Sequence, residues 1–253
     1  MIENKKILVV VTARAGSKGI PMKNVRDLLG KPLFMWSVEA GLQSKYVDEV
    51  LLSSNCIDCL SIFQDYSIKR DEDMEEGYEY VLPSLSVVTR PEKYSTDTSK
   101  NEDALIHALK IVGPSNFDVV INLQPTSPVR LNGLLDETIE VYIKGGYDSL
   151  LTASKDTPFI WQKIDGEWVY TVDRNGCCNR KMRQEFNKDE FVYHDNGCIY
   201  ITDVNVMLET ECRIGSNPYI YETEGINNIQ IDEEFDFELI ENLAKVKGLT
   251  SLI

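Results

Sequence analysis

Two periods of apolar residues take turns along the chain. Short, largely unbroken apolar runs lie at Ile7 to Thr12, Glu49 to Ser53, Leu85 to Val88, Asp118 to Leu123 and Ser149 to Ser154. Runs of this length predict strands of a sheet covered on both faces. Between them the spacing turns helical. Leu33, Trp36 and Ala40 predict a helix over Leu33 to Gln43, and Cys56 to Ser67 reads as another. Ala104, Leu105, Ala108, Leu109 and Val112 mark one face of a third, introduced by Ser99-x-x-Glu102, the pattern of a capping box. Leu134 to Tyr142 is helical again. This alternation predicts an α/β fold with a mostly parallel sheet. From Pro158 the pattern changes: PFIWQKIDGEWVYTV reads as a hairpin turning at Asp165 and Gly166. Phe191 to Thr202 returns to the sheet, and Asn227 to Ile231 predicts a late strand. Phe235, Leu239, Leu243 and Val246 then share one face of a last helix.

The length of 253 residues fits one large α/β domain or a core with a smaller lobe. No apolar run approaches membrane-spanning length. The opening MIENKKILVV becomes a strand too soon for a secretory signal, so a cytoplasmic protein is expected. The six cysteines, the adjacent Cys177 and Cys178 among them, then read as free thiols. Cys56-x-x-Cys59 lacks the second ligand pair that a zinc site would need. A net charge of −15 disfavours a nucleic-acid surface. It also means that an anionic ligand must be drawn in by a local basic patch. Acid is dense in residues 66–86, which read as a solvated excursion or, alternatively, a partner-binding flap.

One stretch supplies such a patch. Just past the first strand, Arg14, Lys18 and Lys23 lie in a short loop with Gly16 and Gly19. Backbone N–H groups and fixed cations at a strand end suit a triphosphate. A solvated basic turn is the alternative. The loop is neither a Walker loop, since Gly19 follows Lys18, nor a dinucleotide fingerprint, since Gly-x-Gly-x-x-Gly is absent. Arg90 and Asp97 fall in a second strand-to-helix loop, where Arg90 could also form a surface ion pair with Glu92 or Asp97. Gln124-Pro125-Thr126-Ser127-Pro128 follows another strand, held extended by its prolines.

Arg14-x-x-Ser17-Lys18-x-x-x-x-Lys23-Asn24 followed by Gly30-Lys31-Pro32-Leu33, then INLQPTSPVR over Ile121 to Arg130, then NGCIYI over Asn196 to Ile201, resemble in order the signatures of the CMP-sialic acid synthetase (acylneuraminate cytidylyltransferase) family. The resemblance implies a three-layer α/β/α, Rossmann-like nucleotidyltransferase fold in a single domain over residues 1–253. Residues 156–192 would be an inserted dimerisation lobe, 66–86 an acidic insertion, and the protein a homodimer. It implies transfer of CMP from CTP to a nonulosonic acid with Mg²⁺. Arg14, Lys18, Lys23 and Asp232 would be catalytic, while Ala13, Ser17, Asn24, Arg90 and Asn101 would hold CTP. Gln124, Arg183, His194 and Asn196 would hold the sugar acid. Asp232 would bind the metal, with Gln230 as a weaker ligand two residues before it on the same face of the predicted strand.

The chain departs from the family pattern at Asn55 and Gln230, where acids are usual, and at His194, where an arginine is usual. Asp232 could equally cap the last helix, and His194 could be a solvated or core residue. A Kdo-like sugar acid, or a CTP-binding regulatory module without catalysis, stays open at this point.

Overall fold

The computed structural model describes residues 2–16, 19–73, 83–170 and 181–253. The first strand, β1 (Ile7–Ala13), is buried at every position but Thr12, so its sequence is a run and not an alternation. After a two-residue ribbon, β2 (Asp27–Leu28) with β3 (Lys31–Pro32), come α1 (Leu33–Gln43), β4 (Glu49–Ser54), α2 (Ile57–Asp73), β5 (Ser84–Thr89) and α3 (Asn101–Val112). The chain continues through β6 (Val119–Leu123), α4 (Leu134–Gly145), β7 (Ser149–Asp156), the hairpin β8 (Trp161–Ile164) and β9 (Glu167–Tyr170), and β10 (Val192–Asp203). It closes with α5 (Val204–Thr210), β11 (Pro218–Thr223) and α6 (Glu234–Lys247).

Seven strands form one sheet in the order β11-β7-β10-β6-β1-β4-β5. All neighbours are parallel except β10, which runs antiparallel to β6 and β7. Side chains of β1 alternate between two layers, as the strand period requires. Val9 and Val11 pack with Phe34 and Val38 of α1, Phe63 of α2 and Ile139 of α4. Leu8 and Val10 pack with Leu105 and Leu109 of α3 and Met207 of α5. The result is the expected three-layer α/β arrangement.

Four local expectations are corrected. Asn227 to Ile231 is not a strand. A short 3-10 turn covers Gly225–Asn228, and Asn228 bonds back to Thr223, its Nδ2 donating to the carbonyl at 2.9 Å. Such local amide bonding competes with a ladder. The late strand is instead β11, an edge strand parallel to β7. The last helix buries Phe237, Ile240 and Ala244, not the face of Phe235 and Val246, both of which are exposed. Ser99 does not cap α3: its hydroxyl donates to the Lys93 carbonyl and accepts from Thr96 N. The first turn is closed by the Asp103 carboxylate, which accepts from Lys100 N at 3.2 Å. Of the acidic stretch 66–86, residues up to Asp73 extend α2, Ser84 onward is β5, and 74–82 lie outside the described residues.

The hairpin does turn at Asp165 and Gly166, with φ of 52° and 90°, the two positive values of a type I′ turn. Trp161 and Trp168 remain 46% and 68% exposed on it. Cys177 and Cys178 lie outside the described residues.

Arg130 ties the layers together. It is 2% exposed, and its hydrogen bonds among the described residues go to carbonyl and hydroxyl oxygens, not to a carboxylate. Its guanidinium donates to the Cys198 carbonyl from Nε (3.1 Å) and Nη2 (2.9 Å), to the Gln124 carbonyl from Nη2 (3.1 Å), and to Ser37 Oγ from Nη1 (3.1 Å). One side chain thereby fixes the end of β6 against β10 and α1. Arg130→Met keeps the bulk but orphans these buried acceptors. It is expected to lower unfolding stability by about 3 kcal/mol, read from the urea midpoint at unchanged slope.

Candidate active site

The carboxyl ends of β1, β5 and β6 open on a cleft of about 450 Å³. This is where parallel α/β sheets receive ligands, because the loops diverge there and leave backbone donors free. Its walls carry Thr12, Arg14, Lys23 and Asn24 from the first loop and its continuation, Arg90 to Asn101 after β5, Gln124 to Thr126 after β6, and Asp232.

The first loop is held from behind. Asn55 Oδ1 accepts from Ala15 N at 2.8 Å, and Asn24 Nδ2 donates to the Arg14 carbonyl at 2.9 Å. Asn55, a departure from the family pattern, therefore shapes the loop. Arg14 Nη1 lies 2.8 Å from the Asp97 carboxylate, so the ion pair considered for Arg90 belongs to Arg14. Lys23 is only 11% exposed; its ammonium donates to the Ile231 carbonyl at 2.7 Å and lies 3.5 Å from Asp232 Oδ1. Gly19 is needed for close packing: a Cβ there would meet the Asp232 carbonyl oxygen at 2.6 Å.

Arg90 is the most telling residue. It is 5% exposed, and its Nε and Nη2 have no hydrogen-bond partner among the described residues. Burial first, and the neighbouring charge of Arg14 second, push its pKa down to about 10. A buried guanidinium with two unused donors at the wall of a cleft calls for an acceptor from outside the described residues, a water or a ligand.

The fold thus brings together Arg14, Lys23, Asn24, Arg90, Asn101, Gln124 and Asp232 from the sequence expectations. Ser17 and Lys18 lie outside the described residues. Ala13 does not line the cleft: its methyl is in the core and its carbonyl accepts from Ser54 Oγ at 2.6 Å.

The remaining candidates are placed differently. Asn196 is buried with its amide fully engaged. Oδ1 accepts from Thr152 Oγ1 and Cys198 N, while Nδ2 donates to Thr223 Oγ1 and Asn228 Oδ1. It pins the irregularity in β10, so its side chain is structural and not free for a substrate. Arg183 and His194 stand by the hairpin lobe, the first with Nη2 3.5 Å from Thr157 Oγ1, the second 3.7 Å from the Asp156 carboxylate. Neither lines the cleft. Gln230 is not on a strand with Asp232, and its amide donates to the Asp195 carbonyl at 3.4 Å. The same-face pairing with Asp232 is therefore not formed. Asp232 does not cap α6 either, since Glu233 occupies that position.

Sequence reading missed Tyr94, Thr96, Ser99 and Lys100 as wall residues, and Thr12 at the strand end. For the first four the signal was their place in the same strand-to-helix loop as Arg90.

Among the described residues no group of three or more His, Cys, Asp or Glu side chains is gathered for a metal. Asp232, with its carboxylate 72% exposed at the cleft, suits a cation that takes one carboxylate and completes its shell with ligand oxygens and water. Also among the described residues, no helix is long and apolar enough to cross a membrane.

A mostly parallel three-layer sheet with a cation-walled cleft at its strand ends defines a protein of the nucleotidyltransferase fold. The chain belongs to a cytidylyltransferase family, whose model, described as "Cytidylyltransferase", matches residues 8–247. It is 27% identical over 248 residues to the N-acylneuraminate cytidylyltransferase of Escherichia coli O18:K1:H7, covering 96% of this chain and 53% of that protein. It is 28% identical over 241 residues to that of Oncorhynchus mykiss, covering 94% and 50%. The chain spans about half the length of the curated relatives it matches. Two solved structures share the fold. CMP:2-keto-3-deoxy-manno-octonic acid synthetase complexed with CTP has a TM-score of 0.63 at 15% identity, covering 96% of this chain and 99% of that one. The 4-diphosphocytidyl-2C-methyl-D-erythritol synthase of Anaerococcus prevotii DSM 20548 has 0.65 at 16%, covering 95% and 99%.

Removing the uncompensated cation should relieve the ligand-free fold. Arg90→Met is expected to raise unfolding stability by about 1–2 kcal/mol without ligand, measured by urea unfolding. A loss of stability instead would mean that the guanidinium is compensated in the folded chain.

Proposed function

We propose that this chain transfers CMP from CTP to the anomeric hydroxyl of a nonulosonic, sialic-type acid and releases pyrophosphate. The observation that carries the reading is Arg90: two unpartnered guanidinium nitrogens, buried at the wall of a cleft that Arg14 and Lys23 of the first loop also line. A cytosine edge has two acceptors, N3 and O2, for such a donor pair. The triphosphate would then extend toward Arg14 and Lys23. The named relatives support the sugar-acid class.

The reaction needs positioning and charge stabilisation more than covalent chemistry by the protein. The anomeric oxygen forms a bond to the α-phosphorus as the bond from that phosphorus to the bridging oxygen breaks. Pyrophosphate departs, and the hydroxyl proton passes to solvent. Arg14, with Lys18 of the same loop, would hold the β- and γ-phosphates and the departing pyrophosphate. Lys23, anchored through the Ile231 carbonyl, would meet the α-phosphate where charge moves. Asn24 keeps the loop backbone in place through the Arg14 carbonyl. Gln124 would face the sugar. Asp232 would hold Mg²⁺, which when bound would neutralise phosphate charge and lower the pKa of a nearby hydroxyl.

We further propose a homodimer in which the hairpin lobe, with its exposed Trp161 and Trp168, packs on a second copy. Arg183 and His194 stand on that side of the molecule, so they would serve a sugar acid across the dimer interface, not within one cleft. The free Cys56, Cys59, Cys198 and Cys212 suit a reducing compartment such as the cytoplasm. A smaller, Kdo-like acid is the second reading, favoured by the absence of Arg183 and His194 from the cleft wall.

Pyrophosphate release from CTP and Mg²⁺ with a panel of nonulosonic acids and Kdo tests this, with UTP and ATP as controls. Release is expected with CTP and one nonulosonic acid, and to stop on chelation of the metal. CTP binding without release on any acid would favour a regulatory module. Within an active pair, Lys23→Ala is expected to lower kcat about 100-fold while raising the KM for CTP far less. A change in KM alone would reduce Lys23 to ground-state binding.

A further inference from the structure

Asn122 is a buried amide in the middle of β6, whose other residues, Val119, Val120, Ile121 and Leu123, are apolar. A polar side chain at such a position calls for a reason. Its Nδ2 lies 3.2 Å from the Val10 carbonyl oxygen and 3.5 Å from Thr12 Oγ1. Its Oδ1 lies 3.4 Å from Asn101 Nδ2, and Asn101 lines the cleft.

These contacts settle the polarity of both amides. A carbonyl oxygen only accepts, so the Val10 carbonyl must face the NH₂ end of Asn122. The Asn122 oxygen therefore faces Asn101, which must answer with its own NH₂. That leaves Asn101 Oδ1 turned the other way. It accepts no hydrogen bond among the described residues. Asn101 opens α3, whose first turn is closed by Asp103, so the amide stands on a fixed element.

We infer that Asn122 is a specificity-positioning residue: by engaging the Asn101 NH₂ it holds that amide in one orientation, with the oxygen and not the NH₂ turned to the base. This rests on the cytidylyltransferase reading above. Cytosine offers a donor at its 4-amino group, next to the acceptors that Arg90 would engage. Uracil offers an oxygen at the same place and meets the Asn101 oxygen repulsively. An unrestrained asparagine could turn its NH₂ to uracil and lose the distinction.

The test is the ratio of CTP to UTP affinity, measured by calorimetric titration of each nucleotide into the full chain, which needs no sugar acid. Wild type is expected to prefer CTP. Asn122→Leu frees Asn101 and is expected to lower that preference about tenfold, mainly by improving UTP. Adding Asn101→Asp to Asn122→Leu is expected to restore it, because a carboxylate has only acceptors whichever way it turns. A purely structural role for Asn122 would not be rescued this way. If the leucine variant does not fold, Asn122→Thr, a small residue suited to a strand, serves in its place. An unchanged ratio in the Asn122 variant, or a ratio that the double variant fails to restore, overturns the inference alone. A wild type that binds CTP and UTP equally overturns it together with the base-site reading beneath it.

Discussion

The cleft depends on one crossing of backbones. Residues 231 and 232 pass between the first loop and the proline-fixed loop after β6. Ile231 N donates to the Thr126 carbonyl at 2.7 Å, and its own carbonyl accepts the Lys23 ammonium at 2.7 Å. Gly19 has no side chain because the Asp232 carbonyl occupies that space. A segment more than 200 residues along the chain is thereby clamped to the loop after β1. The clamp sets where the exposed Asp232 carboxylate stands and limits the freedom of Lys23. With a side chain at position 19, loop and segment could not close to this distance, and the acidic and basic walls of the cleft would separate.

Two buried arginines show how the same chemistry serves structure or site. Both Arg130 and Arg90 are shifted downward by burial, since a charged guanidinium is disfavoured away from water. Arg130 bonds to the Gln124 and Cys198 carbonyls and to the Ser37 hydroxyl, and it welds β6, β10 and α1. Arg90 keeps two nitrogens unpartnered beside a cleft. The first is a closed network that rigidifies its surroundings; the second is an open one that needs something from outside. Asn196 and Asn101 repeat the contrast among amides. The first has both ends engaged, and the second has an oxygen left for the cleft.

Much of the fold was legible because strand runs and helical spacing are local properties. The runs from β1 to β7, the hairpin turn at Asp165 and Gly166, and the basic loop all rest on residues within a few positions of one another. Of the candidate site, Arg14, Lys23 and Arg90 were read from their loops at strand ends, whereas Asn24, Asn101, Gln124 and Asp232 were assigned through the family resemblance; the seven meet because loops at the strand ends of a parallel sheet converge. What misled was local pattern without a partner. Asn227 to Ile231 has the composition of a short strand, yet Asn228 turns back on Thr223, and the tyrosine-rich Pro218–Thr223 takes the sheet edge beside β7. The last helix has two apolar stripes, and periodicity cannot rank them. Phe237 and Ile240 win because Leu33, Trp36 and Val129 form the surface they meet.

By itself, then, the sequence determined the alternation of strands and helices, the place of the basic loop after the first strand, and the kinship with cytidylyltransferases. It did so through spacing and motif, which need only near neighbours. The tertiary structure decided which polar groups are satisfied. Arg14 and not Arg90 takes Asp97, Asn196 is engaged on every side, Gln230 bonds to Asp195 while Asp232 faces Lys23, and Asn122 reaches Asn101 across the wall of the cleft. Those outcomes hang on contacts between residues from 21 to 209 positions apart. No window of sequence contains both partners, so only the packed chain could choose among them.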